Sequence, residues 1–66
     1  MEKLLISREE AAQAISVSVD LLDRLADGGY LRRYKIGART LYDPDGLLRL
    51  RNRLRIEGRI NPSEGA

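Results

Sequence analysis

The sequence predicts a mostly α-helical fold with a small β-hairpin, and three observations support this. Two short helices are indicated, and about three residues join them, which is the spacing of a helix-turn-helix unit. A glycine-led pair at 37–38 separates two four-residue segments with the pattern of hairpin strands. Leucines at helical spacing then indicate a third helix from Pro44 to about Ile56.

The first two helices carry sequence signals at their ends. Ser7 and Glu10 fit a capping box, so the first helix begins at Arg8 and ends near Ile15. Ser18 is the predicted N-cap of the second helix, which has a leucine stripe and stops at glycines 28–29. A connection this short directs the second helix outward, and a DNA major groove accepts such a helix. The same pattern also fits an αα-hairpin without a ligand.

Residues 33–36 and 39–42 form the arms of the predicted hairpin, with a type II′ turn between them. In this register Tyr34 faces Leu41, and we expect both to cover the helices together with Ile36. The residues expected to point outward are Arg33, Lys35, Thr40 and Tyr42. Arg39 lies at the tip, either as a solvated charge or within reach of a minor groove.

The third helix has its own start signal and is followed by a segment without a pattern. Asp43 is the predicted N-cap, and Pro44 occupies the first helical position. Three leucines in the helix recur at i, i+3 and i+7. We therefore predict one domain over residues 1–57 and a flexible tail over residues 58–66.

Composition excludes several classes of function. The 66 residues include no cysteine and no histidine, so disulfides, zinc coordination and the usual general base are not expected. There is no glycine-rich phosphate loop, and we predict neither an enzyme nor a cofactor or metal site. No apolar run approaches the roughly 18 residues of a membrane span, and residues 1–6 are too short for a signal peptide. A cytoplasmic location is the expectation.

The charge is divided unevenly along the chain. Residues 1–29 hold three basic and six acidic side chains, a balance of −3, whereas residues 30–66 hold nine basic and four acidic ones, a balance of +5. Eight of the nine basic residues in the second half are arginine, which is suited to bidentate phosphate contacts. This favours polyanion binding over a basic face kept only for solubility.

Ser7 through Leu50 resembles the small winged helix-turn-helix domain of phage excisionases, or recombination directionality factors, and of MerR-type regulators. The resemblance covers about two thirds of the chain. It implies a helix-turn-helix, a two-stranded wing and a further helix. The residues and motifs that carry it are Ser7, Ala12, Ile15, Val17-Ser18, Arg24-Leu25, Gly29-Tyr30-Leu31, Ile36-Gly37-Ala38-Arg39, Asp45 and Leu47.

The resemblance also implies a set of DNA-contacting residues. The second helix would occupy the major groove, and the wing would lie against the backbone or the minor groove. The candidate residues are Ser18, Val19, Asp20, Asp23 and Arg24 on the helix, and Arg32, Arg33, Lys35, Arg39 and Thr40 on or beside the wing. Asp20 and Asp23 depart from the family, whose members commonly carry basic or neutral polar residues there. Asp20 also suits the helix dipole, and Asp23 is either solvated or in contact with a base.

The function implied is that of an excisionase without catalytic activity or a small-molecule substrate. Such a protein binds adjacent sites on double-stranded DNA head to tail, bends the DNA and directs a phage integrase, a tyrosine or serine recombinase, toward excision. It would act in the nucleoid of the host cell. Two alternatives stay open: a small MerR-like transcriptional regulator, and a protein-interaction adaptor that has lost DNA binding.

Overall fold

The computed structural model describes residues 3–62, which form three helices and a three-stranded antiparallel sheet. About half of the described residues are helical, and the architecture is α+β. The elements in chain order are β1 (Ile6–Ser7), α1 (Arg8–Ala14), α2 (Val19–Asp27), β2 (Arg33–Ile36), β3 (Arg39–Tyr42) and α3 (Pro44–Glu57).

Helix α1 begins with the predicted capping box. The Ser7 hydroxyl accepts from the Glu10 backbone N–H at 3.1 Å, and the Glu10 carboxylate accepts from the Ser7 N–H at 3.2 Å. The chain then reverses through Ser16, whose φ of 58° is left-handed, and the Val17 N–H donates to the carbonyl of Ala12 at 3.0 Å. This tight turn brings α2 directly against α1.

Helix α2 has the predicted bounds. The Ser18 hydroxyl accepts from the Leu21 N–H at 3.1 Å, which caps the amino end. Gly28 caps the carboxyl end, and Gly29 follows with a φ of 87°. The Tyr30 N–H donates to the carbonyl of Leu25 at 2.9 Å, which closes the last turn and directs the chain into the hairpin.

The sheet confirms the predicted hairpin and adds a strand. Tyr34 pairs with Leu41, as predicted, and Gly37 has the positive φ, 59°, that a type II′ turn requires at its first central position. Strand β3 lies at the centre, with β2 on one side and β1 on the other. Strand β1, which was not expected from the sequence, has two residues and pairs Ile6 with Tyr42.

The predicted orientation of the hairpin is wrong. Tyr42 was expected to point outward, but its side chain is 0% exposed and belongs to the core. Ile36 was expected to cover the helices, and it is 60% exposed. Alternation shows which residues share a face of a strand, but it does not show which face turns inward. The face with Arg33 and Tyr42 is the inner one because α2 supplies polar partners for both side chains, as described below.

The core is formed where the helices meet the end of β3. Helix α3 is capped at its amino end by Asp43, as predicted, and at its carboxyl end by Gly58, whose φ of 80° is the left-handed conformation common at helix ends. The two buried alanines of α1, Ala11 and Ala12, permit a close approach of the neighbouring elements. The buried side chains are Ala11, Ala12, Leu22, Leu25, Leu31, Tyr42, Leu47 and Leu50.

The segment after α3 lies against the body as far as the structure describes it. Ile60 packs against the core, and the Tyr30 hydroxyl donates to the carbonyl of Asn61 at 3.5 Å. The predicted flexible tail also includes residues 63–66, which lie outside the described residues. Within residues 3–62 no helix combines the length and the apolar character needed to cross a bilayer.

Candidate nucleic-acid interface

The exposed side of α2 presents two of its five candidate residues with free side chains. Ser18 uses its hydroxyl as the N-cap, and Val19 is half-buried against the core. Asp23 is held in an ion-pair network. Asp20 and Arg24 are exposed, and neither side chain has a hydrogen-bond or ion-pair partner among residues 3–62. Arg24 is therefore the cation that α2 offers to a ligand.

Asp23 links α1, α2 and the hairpin. Its Oδ2 accepts a hydrogen bond from the Arg8 guanidinium in an ion pair, and its Oδ1 accepts a hydrogen bond of 3.0 Å from the Tyr42 hydroxyl. Arg33 Nη2 lies 3.9 Å from the same Oδ1. Both carboxylate oxygens are thus engaged within the protein. Asp23 is therefore not the solvated carboxylate that was one expectation for it, and its contact with a base stays a prediction.

Burial, hydrogen bonds and nearby charges shift the pKa values of Asp23 and Tyr42. Burial raises the pKa of Asp23, but the hydrogen bonds from Arg8 and Tyr42 and the nearby positive charges lower it by more, so the pKa lies below its ordinary value. Burial is also the main reason that the pKa of the Tyr42 hydroxyl is raised. Asp23 therefore stays ionised, and Tyr42 stays protonated as its donor, at neutral pH.

Arg33 fixes the hairpin beside α2. Its Nη2 donates to the Asp27 carboxylate and to the backbone carbonyl of Asp23, both at 3.1 Å, and its Nε donates to the Tyr42 hydroxyl at 3.4 Å. The hydrogen bonds to Tyr42 and Asp27 raise the pKa of Arg33. Since these partners lie on α2 and β3, the contacts set the position of the hairpin relative to α2.

A cleft of about 320 Å³ lies between α2, the start of α1 and the hairpin. It contains three cations and two carboxylates, a balance of +1. Its lining residues are Arg8, Asp23, Asp27, Arg33, Lys35 and Thr40. Four of these six are predicted contact residues, so the structure brings them together on one side of the molecule.

The remaining hairpin candidates divide between the two faces of the hairpin. Lys35 and Thr40 are on the face toward the cleft, where the Lys35 ammonium donates to the Thr40 hydroxyl at 3.4 Å. Arg32 lies on the other face, with its guanidinium 5.6 Å from the centre of the Tyr34 ring. Arg39 is exposed at the tip of the hairpin and has no side-chain partner in the described part of the chain.

Three residues of the network were not identified as site residues from the sequence: Arg8, Asp27 and Tyr42. Arg8 carried a usable signal, because a cation in the first turn of a helix opposes the helix dipole unless an anion lies nearby. Its Nε is buried and has no hydrogen-bond partner among the residues that the structure describes. The position of Tyr42 depended on which hairpin face turns inward, and the strand pattern does not show this.

Comparison with known proteins and a search for metal sites add no further assignment. No family model, curated protein or solved structure matches the chain. Within residues 3–62 no group of three or more acidic, histidine or cysteine side chains is arranged to hold a metal ion. The case for a function consequently depends on the geometry of α2 and the hairpin and on the resemblance described above.

Proposed function

We propose that the chain is a DNA-binding protein in which α2 and the β2–β3 hairpin face the duplex together, as in a winged helix-turn-helix domain. The observation that carries this proposal is the attachment of Arg33 to Asp23 and Asp27, because it holds the hairpin beside α2. Arg24 on α2 and Arg39 at the hairpin tip then lie on two adjacent elements, both exposed and unpaired among residues 3–62. In this arrangement the helix enters a major groove and the hairpin contacts the neighbouring backbone or minor groove.

The free side chains have distinct roles in this proposal. Arg24 reads a guanine or holds a phosphate, and Lys35 contacts a phosphate from the cleft. Arg39 reaches the minor groove or its phosphates. Arg33 and Asp23 act inside the protein, because each is already bonded to neighbouring elements. Asp20 is the one carboxylate at the amino end of α2 that is free to accept from a cytosine amino group.

Within this class we propose an excisionase that acts in the host nucleoid. The resemblance of residues 7–50 supports this, and a single domain of this kind contacts few phosphates. Copies bound to adjacent sites would strengthen one another, with the acidic first half of one copy against the basic second half of the next. The resulting bend in the DNA would direct a tyrosine or serine integrase toward excision.

A specific observation also favours a second candidate, a protein-interaction adaptor. Asp20 and Asp27 are exposed on α2 beside a single free cation, Arg24. Carboxylates near phosphates oppose DNA binding, and the same helix face suits a basic partner protein. The two candidates differ in their dependence on salt, because phosphate contacts release counterions and an adaptor has no such contacts with DNA.

Fluorescence anisotropy on duplexes selected from a random pool, measured between 50 and 200 mM salt, separates the candidates. For the DNA-binding protein we expect log K to fall with log salt by about 0.9 per neutralised phosphate. Arg24→Ala and Arg39→Ala should each weaken binding about tenfold or lower this slope by about 1. Arg49→Ala, which removes from α3 an exposed arginine without a partner among residues 3–62, is the matched control. Absence of detectable binding at 50 mM salt would contradict the proposal and favour the adaptor, and an affinity independent of salt would contradict the proposed phosphate contacts.

The excisionase assignment has a separate test. A mobility-shift titration on DNA with tandem sites should produce a ladder of complexes as the protein concentration rises, because each bound copy creates a contact for the next. A single complex that never extends would exclude cooperative assembly while leaving DNA binding itself intact.

A further inference from the structure

We propose that a groove between α1 and α3 binds an acidic amphipathic helix of a partner protein. The groove has a volume of about 610 Å³ and lies between the end of α1, β1 and the first half of α3. It shares no lining residue with the cleft between α2 and the hairpin. The proposal goes beyond DNA binding and does not depend on it.

The floor of the groove is apolar and open to solvent. Ile6 and Ile15 are half-buried on one side, and Leu47 is buried at the base. Leu48 stands at the rim with 54% of its surface exposed. The groove is large enough for the apolar side chains that a helix presents at i and i+3 or i+4.

The groove is positive toward the carboxyl end of α3, whereas Asp45 in the first turn of α3 is the acidic residue of its lining. Arg51 lines the groove, and Arg55 follows it one helical turn later; neither has an acidic partner among residues 3–62. By contrast, Arg53 on the other flank of α3 is paired with Glu57. Like charges at i and i+4, such as Arg51 and Arg55, destabilise a helix by about 0.2–0.5 kcal/mol. Carboxylates of a bound partner placed beside the two guanidinium groups would offset this repulsion. An occupant with acidic residues next to its apolar face satisfies both arginines.

The apolar floor favours a protein over a nucleic acid at this surface. Interfaces with DNA are polar and strongly basic, and a phosphate gains nothing from contact with Ile15 or Leu48. Protein interfaces combine an apolar centre with arginine and a polar rim. The groove has this composition, with an apolar floor, Leu48 at its rim, and Arg51 and Arg55 beside it. An amphipathic helix whose apolar stripe is bordered by glutamate or aspartate is its complement.

The test uses the full chain and a displayed library of random 16-residue peptides. The library is selected on the wild-type protein and counter-selected on Leu48→Asp, an exposed substitution whose folding is checked by circular dichroism. We expect the recovered peptides to carry leucine, isoleucine or phenylalanine at helical spacing with adjacent carboxylates. Failure to recover peptides that distinguish the two proteins would overturn the proposal, as would recovered peptides that are basic or show no preference for charge.

The affinity of one recovered peptide, measured by fluorescence anisotropy, gives the second part of the test. Reversing both groove arginines, R51E with R55E, should weaken binding at least about tenfold. The control R49E, a reversal elsewhere on α3, should change it by less than about twofold. If R51E with R55E impairs binding to duplex DNA and leaves peptide binding unchanged, the surface belongs to a nucleic acid and the proposal is wrong. Self-association that Leu48→Asp abolishes would assign the groove to a second copy of the chain and would also overturn it.

Discussion

Replacing Asp23 with alanine removes the carboxylate that joins α1, α2 and the hairpin. Tyr42 is 0% exposed, so its hydroxyl would be left inside the protein without the acceptor it has at 3.0 Å. An unsatisfied buried donor costs roughly 1–3 kcal/mol. The ion pair with Arg8 adds little, because both side chains are partly exposed, at 39% and 26%. We expect a total loss of about 2–3 kcal/mol in the free energy of unfolding.

A loss of this size is large for a domain of 66 residues. Domains this small have stabilities of roughly 5 kcal/mol or less, and 1 kcal/mol moves the Tm by about 4–8 °C. Thermal unfolding followed by circular dichroism should therefore show a decrease in Tm of about 10–20 °C for Asp23→Ala. Asp23→Asn keeps an oxygen for Tyr42 and should cost only about 1 kcal/mol.

A double-mutant cycle tests the reason for this effect. Tyr42→Phe removes the donor itself, so in that background Asp23→Ala no longer leaves an unsatisfied hydroxyl. The two substitutions together should cost at least about 1 kcal/mol less than the sum of the separate losses. Strict additivity, or a Tm for Asp23→Ala within about 2 °C of the wild type, would refute the account of Asp23 as the link between the elements.

Three further predictions concern stability. The lowered pKa of Asp23 stabilises the fold fully at pH values above the unfolded-state pKa of about 3.9, and this stabilisation is lost as the pH falls through the lower folded-state pKa. In urea unfolding between pH 2 and 7, the free energy of unfolding should therefore fall less steeply with acid for Asp23→Asn than for the wild type. Identical pH profiles for the two proteins would count against this role of Asp23. Ser7→Ala removes the acceptor of the capping box and should cost about 1 kcal/mol in the same assay, whereas an unchanged midpoint would mean that the cap contributes nothing. Gly46→Ala should stabilise α3 by about 0.5–1 kcal/mol, because the added Cβ meets its nearest neighbour at an ordinary contact distance of 3.8 Å. Gly58→Ala should destabilise α3 by a similar amount, because the φ of +80° at Gly58 is unfavourable for alanine. A Tm that is lower for Gly46→Ala than for Gly58→Ala would contradict both predictions.

The helices were predictable because their ends are encoded locally. Ser7 with Glu10, Ser18, and Asp43 with Pro44 each act within one turn, so their effect can be read from neighbouring residues. The turn at Gly37 was predictable for the same reason, and it set the register of the hairpin. These local signals determine the elements and their bounds.

The parts that were not predicted depend on contacts between distant residues. A two-residue strand such as β1 contains no alternation to read, and it exists because Ile6 meets Tyr42 across 36 positions of the chain. The inner face of the hairpin is likewise set by Asp23, which supplies the acceptor for the Tyr42 hydroxyl. The apolar pattern alone favoured burial of the face with Tyr34 and Ile36. A tyrosine can also be buried when its hydroxyl has a hydrogen-bond partner, as Tyr42 has in Asp23, and the pattern of apolar residues does not show this.

The candidate site shows the same division. Arg24 and Arg39 are exposed, as their sequence positions indicated. The pairing of Arg33 with Asp23 and with Asp27 required the tertiary structure, because Arg33 lies on β2 and both carboxylates lie on α2. Charge counts along the chain therefore overstated the number of cations that are free to meet a polyanion.

A titration of the isotopically labelled protein with duplex DNA, followed by ¹⁵N–¹H NMR spectra, tests most directly whether α2 and the hairpin form one binding surface. The account predicts that the largest shift changes occur at Arg24, Lys35 and Arg39 and their neighbours, while Arg49 and Arg55 on α3 change little. Changes concentrated on α3, or the absence of any change at low salt, would contradict it.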